Sequence, residues 1–328
     1  MAVMITGGSG FLGLALAEAL ARREEPVVLL ALAPPPDWAM RMLASAGARP
    51  SCVAADVTEA GAVAQAIRRH GVTRIVHGAA VTADSARERR EARRIVDVNV
   101  AGTVEVLEAA LSERVAKVVQ LGTGSVFGDA GLEAEHLGED VPRPLPETLY
   151  GISKHAAERI GIRYRTHREL NLVLARVGTA FGRWEYRTDA RDTPSLPFGI
   201  MERAGYGEVA VVPKGAGGDW IYSVDAAEGI LRLLEDPGLS PEPVYHLSSG
   251  RWWDAMEWAT ALARHMPGLR MARERDGLPA NVGVPAPAPR APFDVGRIGR
   301  DYGFRARFDL ETSVRDLIAW TEARARLA

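Results

Sequence analysis

The chain has 328 residues, with 40 basic and 42 acidic side chains and a formal net charge of −2. This balance provides no overall field to gather nucleic acid or an anionic membrane, so a small molecule is the expected partner. Cys52 is the only cysteine, which excludes an internal disulfide and a multi-cysteine metal site. The first residues lack the pattern of a secretory signal, and no apolar run could span a bilayer. We therefore expect a cytoplasmic protein.

The first half of the chain alternates short aliphatic runs with longer amphipathic stretches. Predicted strands are Ala2 to Thr6, Val27 to Leu32, Ser51 to Ala55, Arg74 to His77, Lys117 to Leu121 and Leu172 to Arg176. Predicted helices are Gly13 to Arg22, Ala60 to Arg69, Ile95 to Leu111 and Ser153 to Glu169. Such alternation predicts an α/β fold with a doubly wound parallel sheet, the Rossmann arrangement, whose ligand crevice lies beyond the carboxyl ends of the strands.

The pattern changes after Arg176. Phe181 to Pro197 has no clean period, which predicts a long ordered loop over the crevice. Later predicted elements are strands at Glu208 to Val212 and Pro243 to Leu247, helices at Val224 to Leu234 and Leu310 to Ala325, and an extended stretch from Pro279 to Pro292. We predict a dinucleotide-binding domain of residues 1–178, to which residues 219–248 return. A smaller, discontinuous substrate-binding domain would comprise residues 179–218 and 249–328.

A glycine-rich turn joins the first predicted strand to the first predicted helix. Gly7 permits a tight turn, Gly10 lets a pyrophosphate approach the backbone, and Gly13 lets the helix pack closely on the strand. Such a turn alone is weak evidence. Its place after the first strand of an alternating chain favours a dinucleotide site over a simple tight turn.

Tyr150 and Lys154 are four residues apart in a predicted helix and therefore share one face. An ordinary phenol, with a pKa of ~10, is a poor base near neutrality, but a nearby ammonium favours the phenolate. Only Lys117, Lys154 and Lys214 among the 40 basic residues are lysine. A lysine in so arginine-rich a chain favours a role that needs a compact ammonium over a simple solvated pair.

These features resemble the extended short-chain dehydrogenase/reductase family of the NAD-dependent epimerase/dehydratase type. The motifs that carry the resemblance are the G-x-x-G-x-x-G from Gly7 to Gly13, Asp56-Val57, His77 to Ala80, Asn99, Thr123 to Gly128, and Tyr150-x-x-x-Lys154. The segments Arg176 to Gly182, Asp219 to Asp225 and Arg290 to Asp294 also look like family landmarks. The resemblance thus covers nearly the whole chain, with the motifs in the family's own order.

The resemblance implies hydride transfer with Tyr150 as proton donor and acceptor and Lys154 as its tuner and ribose anchor. Thr123 stands at the family's Ser/Thr position, where a hydroxyl orients the reacting oxygen, and Ser125 is a close competitor. Asn99 is expected to act as a backbone-bound relay toward Lys154, or else only to bridge helices. The cofactor-binding residues that we predict are Gly7, Gly10, Phe11, Leu12, Gly13, Asp56, Val57, Ala79, Ala80, Lys154 and Val177.

The chain departs from the family at the end of the second strand. The acidic residue that would hold the adenosine ribose of NAD is replaced by Ala31. No arginine stands there for an NADP phosphate, although Arg41 could reach back. The cofactor is therefore expected to be NAD or NADP, with the choice left open.

Two diphosphate ligands of the family's sugar-nucleotide enzymes are also absent, since Thr179 and Gly218 stand at their positions, although Arg290 remains. Gly124-Ser125 replace the Asp-Glu pair of the dehydratases, which argues against sugar dehydration. Arginines at 183, 187 and 191 suit a carboxylate or phosphate, or are simply surface residues. The substrate-binding residues that we predict are Thr82, Ser125, Thr179, Arg183, Arg191 and Arg290. No metal site is predicted, and Arg87 to Arg94 is expected to be a solvated helix face.

Three functions remain open at this point. The first is a dehydrogenase or reductase that acts on a secondary alcohol or ketone of a small, anionic substrate. The second is a sugar-nucleotide epimerase with tightly bound NAD, and the third is a regulatory protein that binds the cofactor without catalysis. By resemblance we also expect a homodimer, formed through the predicted helices Ile95 to Leu111 and Ser153 to Glu169.

Overall fold

The computed structural model describes residues 2–132, 134–283 and 290–327. Its strands are β1 Ala2–Thr6, β2 Val27–Ala31, β3 Ser51–Ala54, β4 Val72–His77, β5 Lys117–Thr123, β6 Leu172–Val177, β7 Thr179–Phe181, β8 Val209–Val212, β9 Gly217–Tyr222, β10 Val244–Leu247, β11 Trp252–Asp254 and β12 Arg270–Arg273. Seven of them form one parallel sheet in the order β10-β6-β5-β4-β1-β2-β3. The chain winds outward in one direction from β1 and in the other from β4, so the ligand crevice lies where β1 and β4 end.

Helices cover both faces of this sheet. They are α1 Phe11–Ala21, α2 Asp37–Ser45, α3 Ala62–His70, α4 Ser85–Val96, α5 Gly102–Ser112, α6 Leu149–His167, α7 Leu196–Gly205, α8 Ser223–Glu235, α9 Ala255–Ala263, α10 Gly296–Tyr302 and α11 Leu310–Leu327. Along β1, Val3 and Ile5 enter one hydrophobic cluster, whereas Ala2 and Met4 enter the cluster on the opposite face. Both faces of the strand are buried, which explains its unbroken apolar run. The predicted doubly wound Rossmann fold is confirmed.

The predicted helix from Ile95 to Leu111 is wrong in one respect, because the structure divides it. A wide π-helical turn, Asp97–Ala101, separates α4 from α5. Asn99 lies in this turn and is buried. Extra residues in a helical turn change the direction of the side chains around it, and such turns are frequent at functional sites.

Two smaller sheets lie beyond the main one. β11, β9 and β7 form the first, and β12 and β8 form the second. β10 returns to the central sheet beside β6, while β9 stays in the small sheet. The predicted domain boundaries stay a prediction. Residues 284–289 of the expected extended stretch lie outside the described residues, and none of the helices described is both long and apolar enough to cross a membrane.

Candidate active site

The glycine turn after β1 is shaped to receive a phosphate group. Gly7 has a φ of 70°, a value that the tight turn requires and that other residues rarely adopt. A Cβ at Gly13 would lie 2.6 Å from the Gly8 carbonyl oxygen, so the first turn of α1 can approach the glycine turn this closely only with glycine at that position. Gly10 precedes α1, whose first turn has neither a side-chain cap nor an acidic residue. Its free N–H groups therefore fit the diphosphate of a dinucleotide.

Two glycine variants should distinguish the contribution of the glycine turn to stability from its contribution to cofactor binding. A Cβ at Gly10 would approach only the Gly7 carbonyl oxygen, at 3.1 Å, whereas one at Gly13 would overlap two backbone carbonyls. We expect Gly13→Ala to lower the free energy of unfolding by about 1–3 kcal/mol, as overpacking does. Gly10→Ala should stay folded and lose NAD affinity instead. Urea unfolding and NAD titration of both variants test this, and equal stability losses would contradict it.

His77 forms part of the crevice floor. Its Nδ1 lies 2.7 Å from Thr6 Oγ1 and its Nε2 lies 3.0 Å from Thr103 Oγ1. Burial, together with the charge of Lys154, lowers the pKa of His77 to about 3, so the ring is neutral. Since the Thr103 hydroxyl donates to the Asn99 carbonyl, the hydrogen-bond network assigns the proton of His77 to Nε2.

Lys154 reaches from α6 to the carboxyl end of β5. Its Nζ donates a 2.7 Å hydrogen bond to the Leu121 carbonyl oxygen, and the side chain is buried. Burial lowers the pKa of Lys154 to about 8, while the carboxylate of Glu158 one turn later opposes that shift. The ammonium is therefore present at neutral pH and is lost just above it.

Tyr150 lies in the first turn of α6, beside the Thr123–Ser125 turn. Thr148 caps this helix by accepting a 3.1 Å hydrogen bond from the Gly151 N–H. Gly151 packs so closely that a Cβ there would lie 2.7 Å from the Ser125 carbonyl oxygen. Tyr150 is half-buried, and the Thr123 and Ser125 hydroxyls are 3.4 Å apart. The fold thus brings a phenol, an ammonium and two hydroxyls to one end of the sheet.

Asn99 is a structural clamp in this arrangement. Its Oδ1 accepts from the Val81 N–H at 2.8 Å, and its Nδ2 donates to the Val81 carbonyl and the Ser153 hydroxyl. Ser153 in turn donates to the Tyr150 carbonyl. These contacts involve the side-chain amide, so the expected backbone-bound relay toward Lys154 stays a prediction. The side chain of Asn99 ties the loop after β4 to the helix that carries Tyr150.

Arg290 packs against the segment that follows β5, and its charge interacts with the Tyr150 phenol. The stem of its side chain packs on Gly131, where a Cβ would be 2.9 Å from Arg290 Cγ. Burial lowers the pKa of the guanidinium, and the neighbouring Tyr150 phenol opposes that shift. Within the described part of the chain, Arg290 has no carboxylate partner. A half-buried guanidinium at this end of the sheet is suited to an anionic group of a substrate.

Asp219 at the start of the small sheet fixes the segment that carries Arg290. Its carboxylate accepts from the Phe293 N–H at 2.9 Å, the Ser249 hydroxyl at 2.8 Å and the Gly250 N–H at 3.1 Å. Burial raises the pKa of Asp219, although these hydrogen bonds act to lower it. The sequence marks Asp219 only as part of a motif, and its organising role depends on loops that are distant along the chain.

Residues 182–195, which we call the strap, cross the crevice from β7 to α7. Gly182 starts it with a φ of 120°. The Tyr186 hydroxyl donates a 2.5 Å hydrogen bond to the Ser9 carbonyl in the glycine turn. At the other side Arg191 pairs with Thr82 as a parallel β-bridge, and Arg87 forms a salt bridge with Asp192. The predicted ordered loop is therefore an anchored one.

The expectation that Arg183 binds substrate is wrong. Its Nε donates to Asp316 at 2.7 Å, and its Nη1 lies 3.1 Å from Glu18. These carboxylates come from α11 and α1, and Trp184 Nε1 also donates to Glu18. The Arg183 guanidinium is thus engaged in an internal ion cluster with Asp316 and Glu18. The sequence could not reveal this, because both partners are far away along the chain.

The arginine-rich helix α4 is more than the expected solvated face. Arg87 donates to the Asp189 carbonyl as well as pairing with Asp192, and so anchors the strap. Arg94 donates to Asp56 at 2.8 Å. Burial favours a higher pKa for Asp56, but hydrogen bonds from Thr58 and Arg94 outweigh it and lower that pKa. Asp56 is therefore an ionised acceptor after β3.

The other residues predicted to bind cofactor lie around the same crevice. Ala79 follows β4, and its N–H lies 3.3 Å from Thr6 Oγ1. Ala80 is half-buried beside it. Phe11 and Leu12 open α1, Val57 packs against Gly102, and Val177 ends β6 opposite Thr123.

The end of β2 carries no charge for the adenosine ribose. Ala31 is half-buried there, and the next residue, Leu32, is exposed. Arg41 does not reach back, because its Nε donates to the Leu327 carbonyl at 2.8 Å. Thr179, in a predicted diphosphate position, is exposed at the start of β7.

Comparisons with known proteins agree with this geometry. The model of the "NAD dependent epimerase/dehydratase family" matches residues 3–247. The chain belongs to the NAD-dependent epimerase/dehydratase family. Its Rossmann sheet and glycine turn are those of an enzyme family that works with NAD, and the predicted resemblance is confirmed.

Curated relatives within the NAD-dependent epimerase/dehydratase family have different activities. A dTDP-glucose 4,6-dehydratase of Actinoplanes sp. is 25% identical, over 98% of both chains. A UDP-glucose 4-epimerase of Erwinia amylovora is 23% identical over 84% of this chain and 87% of its own. A uronate dehydrogenase of Pseudomonas putida is 24% identical over 77% and 79%, respectively. The family is thus established, but the relatives differ in their reactions.

A solved structure supports the fold over its full length. UDP-glucuronic acid 4-epimerase from Bacillus cereus, in complex with UDP-glucuronic acid and NAD, superposes with a TM-score of 0.81. It is 17% identical and covers 98% of this chain and 99% of its own. At this identity the likeness concerns the fold of the family and not the substrate.

Proposed function

We propose that the protein oxidises a secondary alcohol of a small anionic carbohydrate, such as a uronate, or reduces the corresponding ketone. The observation that carries this proposal is the placement of Arg290, which packs on Gly131 after β5, is half-buried and has no carboxylate partner among the described residues. A cation at that place binds an anionic substrate and brings its hydroxyl to the phenol.

The residues of the site divide the work as follows. Tyr150 takes the proton of the substrate hydroxyl during oxidation and returns it during reduction. Lys154, one turn after Tyr150 on α6, holds its ammonium at the carboxyl end of β5, while Thr123 and Ser125 orient the reacting oxygen. Bound NAD supplies the acceptor for the hydride that leaves the same carbon. Asn99 acts through Ser153 and Val81 and is therefore a positioning residue.

The substrate is proposed to be small because two of the family's diphosphate ligands are lacking, although Arg290 remains at the position of another. Thr179 and Gly218 stand where an asparagine and an arginine would hold the diphosphate of a sugar nucleotide. Gly218 lies beside the Trp220 indole, whose Nε1 would be 3.2 Å from a Cβ at position 218. Arg290 is then the main cation available to a substrate in the described site. One cation suits a single carboxylate better than a diphosphate.

NAD is the proposed cofactor. NADP needs a cation for its additional phosphate, but Ala31 and Leu32 end β2 and Arg41 is held by the carbonyl of Leu327. The preference for NAD over NADP should be smaller than in relatives with a carboxylate at the end of β2, because no negative charge there repels the additional phosphate of NADP. Titration with both cofactors measures the difference.

A sugar-nucleotide epimerase is the second candidate. An epimerase oxidises one carbon and then reduces it from the other face, so it needs the same phenol and ammonium. Its support comes from the relatives, which include a UDP-glucose 4-epimerase, and from the likeness to a UDP-glucuronic acid 4-epimerase. The missing diphosphate ligands argue against it.

The deciding experiment is turnover of a defined panel in the presence of NAD. The panel contains glucuronate, galacturonate, UDP-glucose, UDP-glucuronate and dTDP-glucose. We expect net NADH formation with a uronate, followed by absorbance, and no reaction of the nucleotides. Isomerisation of a nucleotide without net NADH would replace the proposal by the epimerase. Bound NAD without any turnover would favour the catalytically silent protein. The homodimer and the cytoplasmic location stay predictions.

A further inference from the structure

Arg191 occupies a position that the sequence does not explain. Its guanidinium carbon lies 5.2 Å from the centre of the Phe11 ring, and Phe11 is the first residue of α1. This contact places a cation beside the helix start that faces the cofactor diphosphate. Arg290, in contrast, packs on Gly131 in the segment that follows β5, on the side of the crevice where we propose that the substrate reacts. The two arginines therefore serve different ends of the crevice.

One salt bridge and one hydrogen bond hold the guanidinium of Arg191, and they involve only two of its three nitrogens. Nη1 lies 3.1 Å from Glu185 Oε1, and Nε donates to the Thr193 carbonyl at 3.2 Å. Nη2 donates to no residue that the structure describes. Glu185 is itself buried and is fixed by the Ser195 N–H and hydroxyl, at 2.8 and 2.6 Å. One edge of a preorganised guanidinium is thus available to a ligand.

The strap that carries Arg191 is fastened on both sides of the crevice. Tyr186 binds the Ser9 carbonyl, within the glycine turn itself. The Thr82 N–H donates to the Ala190 carbonyl at 2.8 Å, and the Asp192 N–H donates to the Thr82 carbonyl at 3.0 Å. A residue between two such anchors keeps its position, so the cation is aimed before any ligand arrives.

We propose that Arg191 is a ligand of the cofactor diphosphate and closes the phosphate site from the strap. The first turn of α1 has no charged side chain, so the helix N–H groups otherwise face two phosphates without a counter-charge. A guanidinium opposite these N–H groups completes the site by charge-assisted hydrogen bonds. This requires only the cofactor of the family, and holds whether the substrate is a uronate or a sugar nucleotide.

The test uses ligands that contain progressively less of the cofactor. NAD and ADP-ribose carry the diphosphate, whereas adenosine has none. In Arg191→Ala we expect the affinity for NAD and for ADP-ribose to fall about tenfold or more, the usual loss for a charge-assisted hydrogen bond. Adenosine binding, followed by saturation-transfer NMR, should not change. Arg191→Lys should recover part of the loss, and the salt dependence of ADP-ribose binding should weaken in Arg191→Ala.

Arg187→Ala is the matched control. Arg187 lies on the same strap, is 63% exposed and pairs with Glu202 away from the glycine turn. Its removal should leave all three affinities unchanged. Unchanged ADP-ribose affinity in Arg191→Ala would overturn the proposal and favour the earlier prediction that Arg191 binds the substrate. An equal loss for adenosine would also overturn it, because Arg191 would then only hold the fold. No probe contains a substrate, so these outcomes are independent of the proposed reaction.

Discussion

Tyr150→Phe should reduce turnover by at least about a hundredfold, because general acid–base catalysis contributes about 10²–10⁴ to a rate. The substitution removes one oxygen from a half-buried ring and leaves the first turn of α6, capped by Thr148, in place. The loss should appear in kcat, since the phenol moves the proton and the cation of Arg290 still binds the anion. The measurement is steady-state kinetics with the panel member that wild-type protein converts.

NAD titration supplies the control for Tyr150→Phe. Affinity should remain within about twofold, because the variant leaves unchanged the glycine turn and Lys154, which we propose hold the diphosphate and the ribose. Tyr206→Phe is the matched variant, because Tyr206 is 70% exposed after α7 and lies outside the site, so turnover and NAD affinity should both stay unchanged. Full turnover in Tyr150→Phe would refute the assignment of the proton carrier and favour another group, first of all Thr123.

The central sheet could be predicted from the sequence because its signals are local. Each buried parallel strand is an aliphatic run, and residues such as Val3 and Met4 need no knowledge of distant partners to be recognised. Tyr150 and Lys154 share a helix face by spacing alone. The motif order then identified the family, which the match over residues 3–247 confirms.

Arginine roles could not be predicted, because they depend on partners that the fold brings together. Arg183 is consumed by Glu18 and Asp316, which are 165 and 133 residues away. Arg87, expected on a solvated face, anchors the strap through Asp192. The same limit applies to Asn99. The residue types between Ile95 and Leu111 predict one continuous helix and do not reveal the π-helical turn that contains Asn99.

Glu158 and Arg176 form a buried ion pair under the catalytic helix that sequence reasoning missed. Arg176 Nε donates to Glu158 Oε2 at 2.8 Å, and Nη2 to Oε1 at 2.5 Å. Arg176 also donates to the Glu139 carbonyl at 2.8 Å and lies over the Phe127 ring. Glu158 follows Lys154 by four residues, so its place on that helix face was the available signal.

Glu158→Gln should therefore have two effects. It leaves the guanidinium of Arg176 buried without its counter-charge, and we expect the free energy of unfolding to fall by about 3–5 kcal/mol. It also removes the carboxylate that opposes the effect of burial on Lys154, so the pKa of that ammonium should fall below about 8. The ammonium is then lost at lower pH, and the alkaline limb of the activity profile should move to lower pH. Urea unfolding and kcat against pH measure the two effects.

The double variant Glu158→Met/Arg176→Met separates these effects from each other. Because both charges are gone, stability should recover by more than half, since an apolar replacement of a buried pair is often nearly neutral. The alkaline limb should stay displaced, because Lys154 still lacks its carboxylate. Arg187→Ala, which breaks an exposed pair with Glu202, should cost less than about 1 kcal/mol. A Glu158→Gln protein as stable as wild type, with an unshifted pH profile, would show that the pair neither supports α6 nor acts on Lys154.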